Sequence, residues 1–235
     1  MTPSLTGQAV ARADLDGTTV AAMRSLFAQH YQRVTADSFQ ADLAQKDWVV
    51  LLRDQAGTLQ GFTSFALYRS CAAGYPVSVV YSGDTVVHPS CWGTAELPRM
   101  WIHSVLEQSA GMGTPLWWLL ISSGYKTYRF LSVFFREFQP NYSQPSPAAT
   151  RALKDALAAE RFGRAYDAEA GVVRLGARAT PLRAGIADVT PRRLQDPHVA
   201  YFAARNPGHA AGDELVCLAR VHPDNFTAAG RRMAR

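Results

Sequence analysis

The sequence predicts a mixed α/β fold, a sheet of six or seven strands whose fourth and fifth members run parallel, and three observations lead there. Apolar runs of strand length alternate with stretches of helical spacing from about Thr18 onward. One segment, Ser82 to Gln108, reads continuously as a strand, a small-residue loop and a helix. The 235 residues are 48% hydrophobic and 18% charged, which excludes wholesale disorder and leaves enough chain for a substantial core.

The elements follow in order. Val20, Met23, Phe27 and Tyr31 have helical spacing, and so do Phe39 and Leu43 after the start signal Thr35-Ala36-Asp37-Ser38. Trp48 to Arg53 is a buried-type strand; Asp54-Gln55-Ala56-Gly57 turns the chain, and Leu59 to Tyr68 returns as the antiparallel partner. Tyr75 to Val87 is the fourth strand, open beyond Val87. The next helix places Leu97, Met100, Trp101, Val105 and Leu106 on its apolar positions and ends near Gly111-Met112-Gly113. Pro115 to Ile121 is fully apolar and must be a central strand, open beyond Ile121. Ser122-Ser123 ends it and is expected to cap a helix over Gly124 to Phe135. Three prolines make residues 139–147 the most linker-like stretch. A helix over Ala148 to Ala159 follows. Gly171 to Leu175 and Glu214 to Val221 are expected as the last antiparallel pair, joined by a long connection with a helical piece at Val199 to Ala204. An arginine-rich helix from Pro223 closes the chain.

Composition narrows the function. Cys71, Cys91 and Cys217 are widely spaced and form no C-x-x-C pair, so reduced structural thiols are expected. The six histidines include no H-x-x-x-H or H-E-x-x-H, so no metal is expected. Net charge +5 and pI near 9.3 suit an acidic partner, but the basic residues are dispersed without an aromatic stripe, and nucleic acid is not expected. No apolar run has the length of a membrane span. The N-terminal residues lack an apolar signal core, which places the protein in the cytoplasm.

The Ser82–Gln108 segment carries the chemistry, because the first N–H groups of a helix have no intrahelical partner and attract anions. Val87-His88-Pro89 followed by Trp92-Gly93-Thr94-Ala95-Glu96-Leu97 resembles the Gcn5-related N-acetyltransferase superfamily. There a V-H-P turn precedes the R/Q-x-x-G-x-G/A loop that binds the pyrophosphate of acyl-coenzyme A. The Asp54–Gly57 turn and the glycine-aromatic pair Gly61-Phe62 add to the resemblance, which runs in register from about Val20 to Phe138. Trp92 stands where Arg or Gln is usual, Ala95 replaces the second glycine, and Leu97 falls where a third small residue is frequent.

The resemblance implies an acetyltransferase-like, mostly antiparallel sheet with helices on both faces and a splayed parallel pair of central strands. It implies one acyl-CoA N-acyltransferase-like domain over residues 1–235, with a core at about 18–142 and an extension over 143–235. It also implies direct transfer of an acyl group from a thioester, acyl-CoA or acyl-carrier protein, to a small-molecule amine. Val86 and Val87 are then the oxyanion-binding positions, and Trp92, Gly93, Thr94, Ala95 and Ser122 join them in holding the donor. Tyr128, chosen over Tyr125, would protonate the departing thiolate. Asp84, a carboxylate in an apolar strand, is either the general base or a buried tie between strand and loop. His30 and Tyr31 either face substrate or pack in the core.

Glycine is the best residue for a close backbone approach to phosphate, so the altered loop should grip the diphosphate weakly. A longer acyl group or a carrier protein would then hold the donor, with Trp92, Trp101, Trp117 and Trp118 permitting an apolar pocket. Two other classes stand beside this one. A hydrolase has no G-x-S-x-G elbow here, and Ser104 and His103 point apart on a helix, although Cys91 with His88 could make a nucleophile-base pair. A catalytically inactive binding protein that has lost the donor would share the same fold.

Overall fold

The computed structural model describes residues 4–235, so the first three residues of the 1–235 domain lie outside the described residues. Among the described residues nine strands form: β1 (Leu5–Ala11), β2 (Trp48–Asp54), β3 (Leu59–Ser70), β4 (Val77–Val87), β5 (Leu116–Ser122), β6 (Phe138–Gln139), β7 (Tyr166–Asp167), β8 (Val172–Val173) and β9 (Glu214–Arg220). The α-helices are α1 (Gly17–His30), α2 (Ala36–Leu43), α3 (Glu96–Ser109), α4 (Tyr125–Phe134), α5 (Ala148–Phe162), α6 (Pro197–Arg205) and α7 (Ala228–Met233). All the strands join one sheet in the order β1-β2-β3-β4-β5-β9-β8-β7, with β6 also on β9. The β4–β5 pair is parallel and the others are antiparallel.

The strand count exceeds the expected six or seven. β1 has no run of β-branched or aromatic residues; its strand state comes from full pairing with β2, Leu5 opposite Asp54 through Ala11 opposite Trp48. Gly7 is needed there, because α3 passes so close that a Cβ would lie 2.2 Å from Met100 Cγ. The two-residue strands β6, β7 and β8 are too short for any periodicity to reveal. Val172 and Val173 do pair with β9 as the sequence implies, opposite Leu215 and Glu214.

Helices cover both faces. α1 begins at Asp16, whose carboxylate accepts the Thr19 N–H at 2.6 Å, and α2 begins with a capping box between Thr35 and Ser38. Met23, Phe27 and Phe39 pack with Val49, Leu51 and Phe62 on one face, where α5 adds Leu153 and Leu157 against Val79 and Leu119. The opposite face of the same strands, Val50, Leu52, Phe65 and Val80, packs against α3, α4, α6 and α7. Burial on both faces is why Trp48 to Arg53 reads as an unbroken apolar run.

The cap expected from Ser122-Ser123 does not form. Gly124 occupies the N-cap position of α4 without a side-chain bond; the Ser122 hydroxyl instead donates to the Gly124 carbonyl at 2.7 Å and accepts its N–H at 3.3 Å, closing a tight turn. The long connection before β9 also has a shape the sequence did not suggest. It returns to α1 as a strap: the Gln32 N–H donates to Pro181 O and the Arg183 N–H to His30 O, both at 2.8 Å, and Leu182 bridges Tyr31.

Candidate active site

β4 and β5 pair from Ser78 opposite Leu116 to Ser82 opposite Leu120 and then separate. The separation coincides with a bulge on β4. Ser64 faces Gly83 while Phe62 faces Val86, so Asp84 and Thr85 together oppose the single residue Thr63. Asp84 turns the chain with φ of 49°, a left-handed conformation that aspartate tolerates better than most residues. A cleft of about 990 Å³ occupies the gap. Its walls include Asp42, Asp84 and Glu214 from the α1/α2/α5 face and Leu97, Thr127 and Phe130 from the α3/α4 face. The opening therefore passes through the sheet.

The first of these walls is acidic. Lys46 has a fully buried side chain, paired with Asp42 and standing 3.4 Å from Asp84; the Ser64 hydroxyl is also 3.4 Å from Asp84. One lysine cannot balance two carboxylates out of water. Burial raises the Asp84 pKa well above the usual carboxylate range, against the pull of Lys46 and with the push of Asp42. Asp42 is held low despite burial, by a hydrogen bond from Asp84 and by Lys46. Burial alone would lower Lys46, but Asp84 and Asp42 outweigh it and raise its pKa.

Glu214, at the start of β9, completes the cluster. Burial, with a smaller push from Asp42, raises its pKa to about 7, and among the described residues its carboxylate has no ion-pair partner. Tyr31 and Tyr81 also face the cleft. Burial, reinforced by Glu214 and Asp84, raises the Tyr31 phenol, which keeps its proton beside Ser123. Lys46 and Glu214 carried no motif. A lysine after a helix and a glutamate opening an apolar strand look like surface residues until the bulge and the β5–β9 pairing bring them together.

The opposite wall holds the loop. Pro89–Cys91 make a short 3₁₀ turn after His88, and Gly93 turns at φ of 90°. Much of the loop's donor capacity is spent internally: Cys91 N–H bonds His88 O, Trp92 N–H bonds Pro89 O, and Thr94 N–H bonds Cys91 O. The Thr94 hydroxyl accepts the Glu96 N–H at 3.1 Å. Ala95, the N-cap of α3, supplies no side-chain bond, and Pro98 has no N–H.

Trp92 does more than replace a polar residue. Its indole N–H donates to the Val87 carbonyl at 2.8 Å, and the buried His30 ring sets Nε2 3.0 Å from the same oxygen. His88 N–H points to β3, bonding Gln60 O, so strand alternation turns the Val87 and Thr85 amides toward the gap and the Val86 amide toward β3. Val86 contributes a buried side chain to the α1/α2 core. Lys126 of α4 lies 3.3 Å above the Trp92 ring; burial first and Arg193 second lower its pKa.

Other expected residues lie elsewhere. Tyr128 is fully buried; its hydroxyl donates to Pro140 O at 2.9 Å, its ring packs among Phe138, His198 and Phe202, and it is not among the cleft's wall residues. Ser122 borders the cleft with its hydroxyl committed to the Gly124 turn. The nucleophile-base pair of Cys91 with His88 is not formed, since the His88 ring meets the Ser90 hydroxyl at 2.8 Å and Cys91 is buried. His30 and Tyr31 both line the cleft, although His30 is engaged with backbone oxygens on both ring nitrogens.

No protein-family model matches the sequence, and no curated protein does. Solved structures similar to the chain include an Enterococcus faecalis protein described as a probable N-acyltransferase. It is 14% identical over 57% of this chain and 33% of that one, with a TM-score of 0.43. An Escherichia coli GNAT-family N-acetyltransferase in complex with CoA is 12% identical over 57% of this chain and 71% of that one, TM-score 0.41. A Trypanosoma brucei acetyltransferase is 18% identical over 61% of this chain and all of that one, TM-score 0.41. The match thus spans a third of the Enterococcus chain. The mostly antiparallel sheet and the separated parallel pair agree with the fold that the V-H-P turn and its loop implied; the bulge at Asp84 was not among the expectations. At the level of fold, the chain is a mixed α/β sheet, mostly antiparallel, with one parallel pair that separates and helices on both faces.

Proposed function

We propose that the protein transfers an acyl group from a thioester to a small amine directly, across the gap between β4 and β5. The observation that carries this reading is a cleft that crosses the sheet at a bulge, acidic on one face and apolar on the other. The acidic face attracts an ammonium and accepts its proton; the apolar face shelters a thioester. The amine nitrogen attacks the thioester carbonyl, forming the C–N bond as the C–S bond breaks, and the thiolate leaves to be protonated.

Roles follow from position. Glu214, poised near neutral pH, takes the proton of the ammonium. Asp84 holds the bulge through Lys46 and Ser64 and is the structural tie, its carboxyl neutral beside an ionised Asp42. The Val87 N–H is the oxyanion donor, while Val86 buttresses the strand. Tyr31, protonated and beside the end of β5, takes over the acid role expected of Tyr128. Gly93, Thr94 and Ala95 approach the diphosphate with few free amides, and Lys126 with Arg193 add positive charge at that mouth. The donor is acyl-CoA or an acyl-carrier protein, whose acidity the net positive charge suits. Acetyl-CoA itself binds weakly, because Trp92 occupies the Val87 carbonyl that a pantetheine amide would need.

A thermal-shift panel of free CoA and acyl-CoA thioesters, followed by thiol release with an amine panel, tests this. Stabilisation by thioesters and amine-dependent thiol release support the proposal. No stabilisation by any thioester, free or carrier-borne, leaves the inactive binding protein as the reading.

A further inference from the structure

The gap has a side branch. A pocket of about 40 Å³ lies between α3 and α4 on the apolar face, floored by Thr63, Ser82 and Thr85 and walled by Trp101, Trp118 and Phe134. Thr85, Leu97, Pro98, Thr127 and Phe130 line both this pocket and the cleft, so the pocket opens where the thioester carbonyl would sit. A water takes about 10–15 Å³ on this measure, so the pocket has room for about three or four heavy atoms.

Its polar groups are nearly all satisfied. The Thr63 and Thr85 hydroxyls bond one another at 2.7 Å, and the Trp118 N–H donates to Ser82 Oγ at 2.6 Å. Trp101, 7% exposed, meets the pocket with ring carbon, because its indole N–H is itself buried. The branch is therefore an apolar socket, suited to alkyl carbon and unfavourable to an unpaired hydroxyl.

We infer that this branch is the acyl site, and that it takes a short unsubstituted alkyl acyl group, three or four heavy atoms beyond the carbonyl. The inference rests on the thioester reading above. It limits the acyl group on two sides: acetyl leaves the branch empty, and a long chain does not fit.

Calorimetric titration of the full-length protein with CoA, acetyl-, butyryl-, 3-hydroxybutyryl- and decanoyl-CoA tests it. Each buried methylene should tighten binding about fourfold from acetyl to butyryl, decanoyl should gain nothing further, and the 3-hydroxyl, unpaired in the apolar branch, should cancel about threefold or more of that gain. Phe134→Trp, at a residue that lines the branch and not the cleft, should erase the butyryl increment and spare CoA. Should that variant fail to fold, Phe134→Leu should let the gain extend beyond butyryl. If CoA binds while all acyl groups bind alike, or if Phe134→Trp keeps the butyryl increment, the acyl site is wrong and the thioester reading stands. If CoA and every thioester fail to bind, both fall together.

Discussion

The two faces of the sheet meet at one gap and have been treated differently. On the α1/α2/α5 face, the bulge at Asp84, the buried Lys46 and the carboxylates of Asp42 and Glu214 form a closely tied cluster around a void. On the α3/α4 face, the loop that would hold a diphosphate has closed on itself, with Trp92 bonded to the strand it should leave free. Under the proposed function, the acidic face is the acceptor side and the obstructed face the donor side, so the comparison separates the two halves of the proposed reaction.

The largest effect expected is on the acidic face. Glu214→Gln should lower kcat by roughly a hundredfold or more, and wild-type kcat/KM should rise with pH through about 7, where Glu214 loses its proton. The same residue gives a stability signature. Folding raises its pKa from 4.5 to about 7, so its contribution is fully present below pH 4.5 and is lost as pH rises through 7. Glu214→Gln removes that loss, and melting curves should show the variant gaining on wild type at pH 8 relative to pH 5. A variant with full turnover would move the base elsewhere.

Lys46→Met comes next, and acts on stability. It leaves the ionised Asp42 without its cation and takes a donor from the neutral Asp84; because the Asp42 side chain is 42% exposed, the cost is about 1–2 kcal/mol, or a Tm lower by about 5 °C. Asp84→Asn alone should lower Tm and leave turnover per folded molecule unchanged; a large loss of turnover with Tm intact would make Asp84 the base instead.

On the other face, Trp92→Gln removes one of the two groups on the Val87 carbonyl, His30 remaining, and restores a polar side chain before Gly93. CoA should bind about tenfold tighter, close to the worth of one hydrogen bond, and an unchanged Kd in titration would show that Trp92 does not obstruct the donor. The smallest effect belongs to Tyr128→Phe. It removes one hydrogen bond to Pro140 and should cost about 1 kcal/mol with no change in kcat.

The same contrast explains what was legible in the sequence. Strands buried on both faces, such as β2 and β5, announce themselves as apolar runs, and the V-H-P turn with Gly93 locates the loop. β1 was hidden because its strand state comes from its partner and from the fit of Gly7 under Met100. Glu214 and Lys46 were hidden because their role exists only after residues far apart in sequence converge at the bulge. Tyr128 lies on the expected helix, but its ring packs toward α6, whereas Lys126 and Thr127 face the gap. The strap around Leu182 had no signal, since its bonds to α1 and the residues after it are backbone pairs and two bonds from Arg183 and Gln32 side chains to backbone carbonyls, which follow no motif.

Hydrogen–deuterium exchange with saturating butyryl-CoA tests the central claim most directly. A thioester lying between β4 and β5 would shield the gap-facing amides of Thr85 and Val87 and order the loop through Ala95. The account predicts slowed exchange in peptides covering residues 83–95 and 120–127, with the remainder of the sheet unchanged. Bound thioester with no protection in those two segments would contradict it.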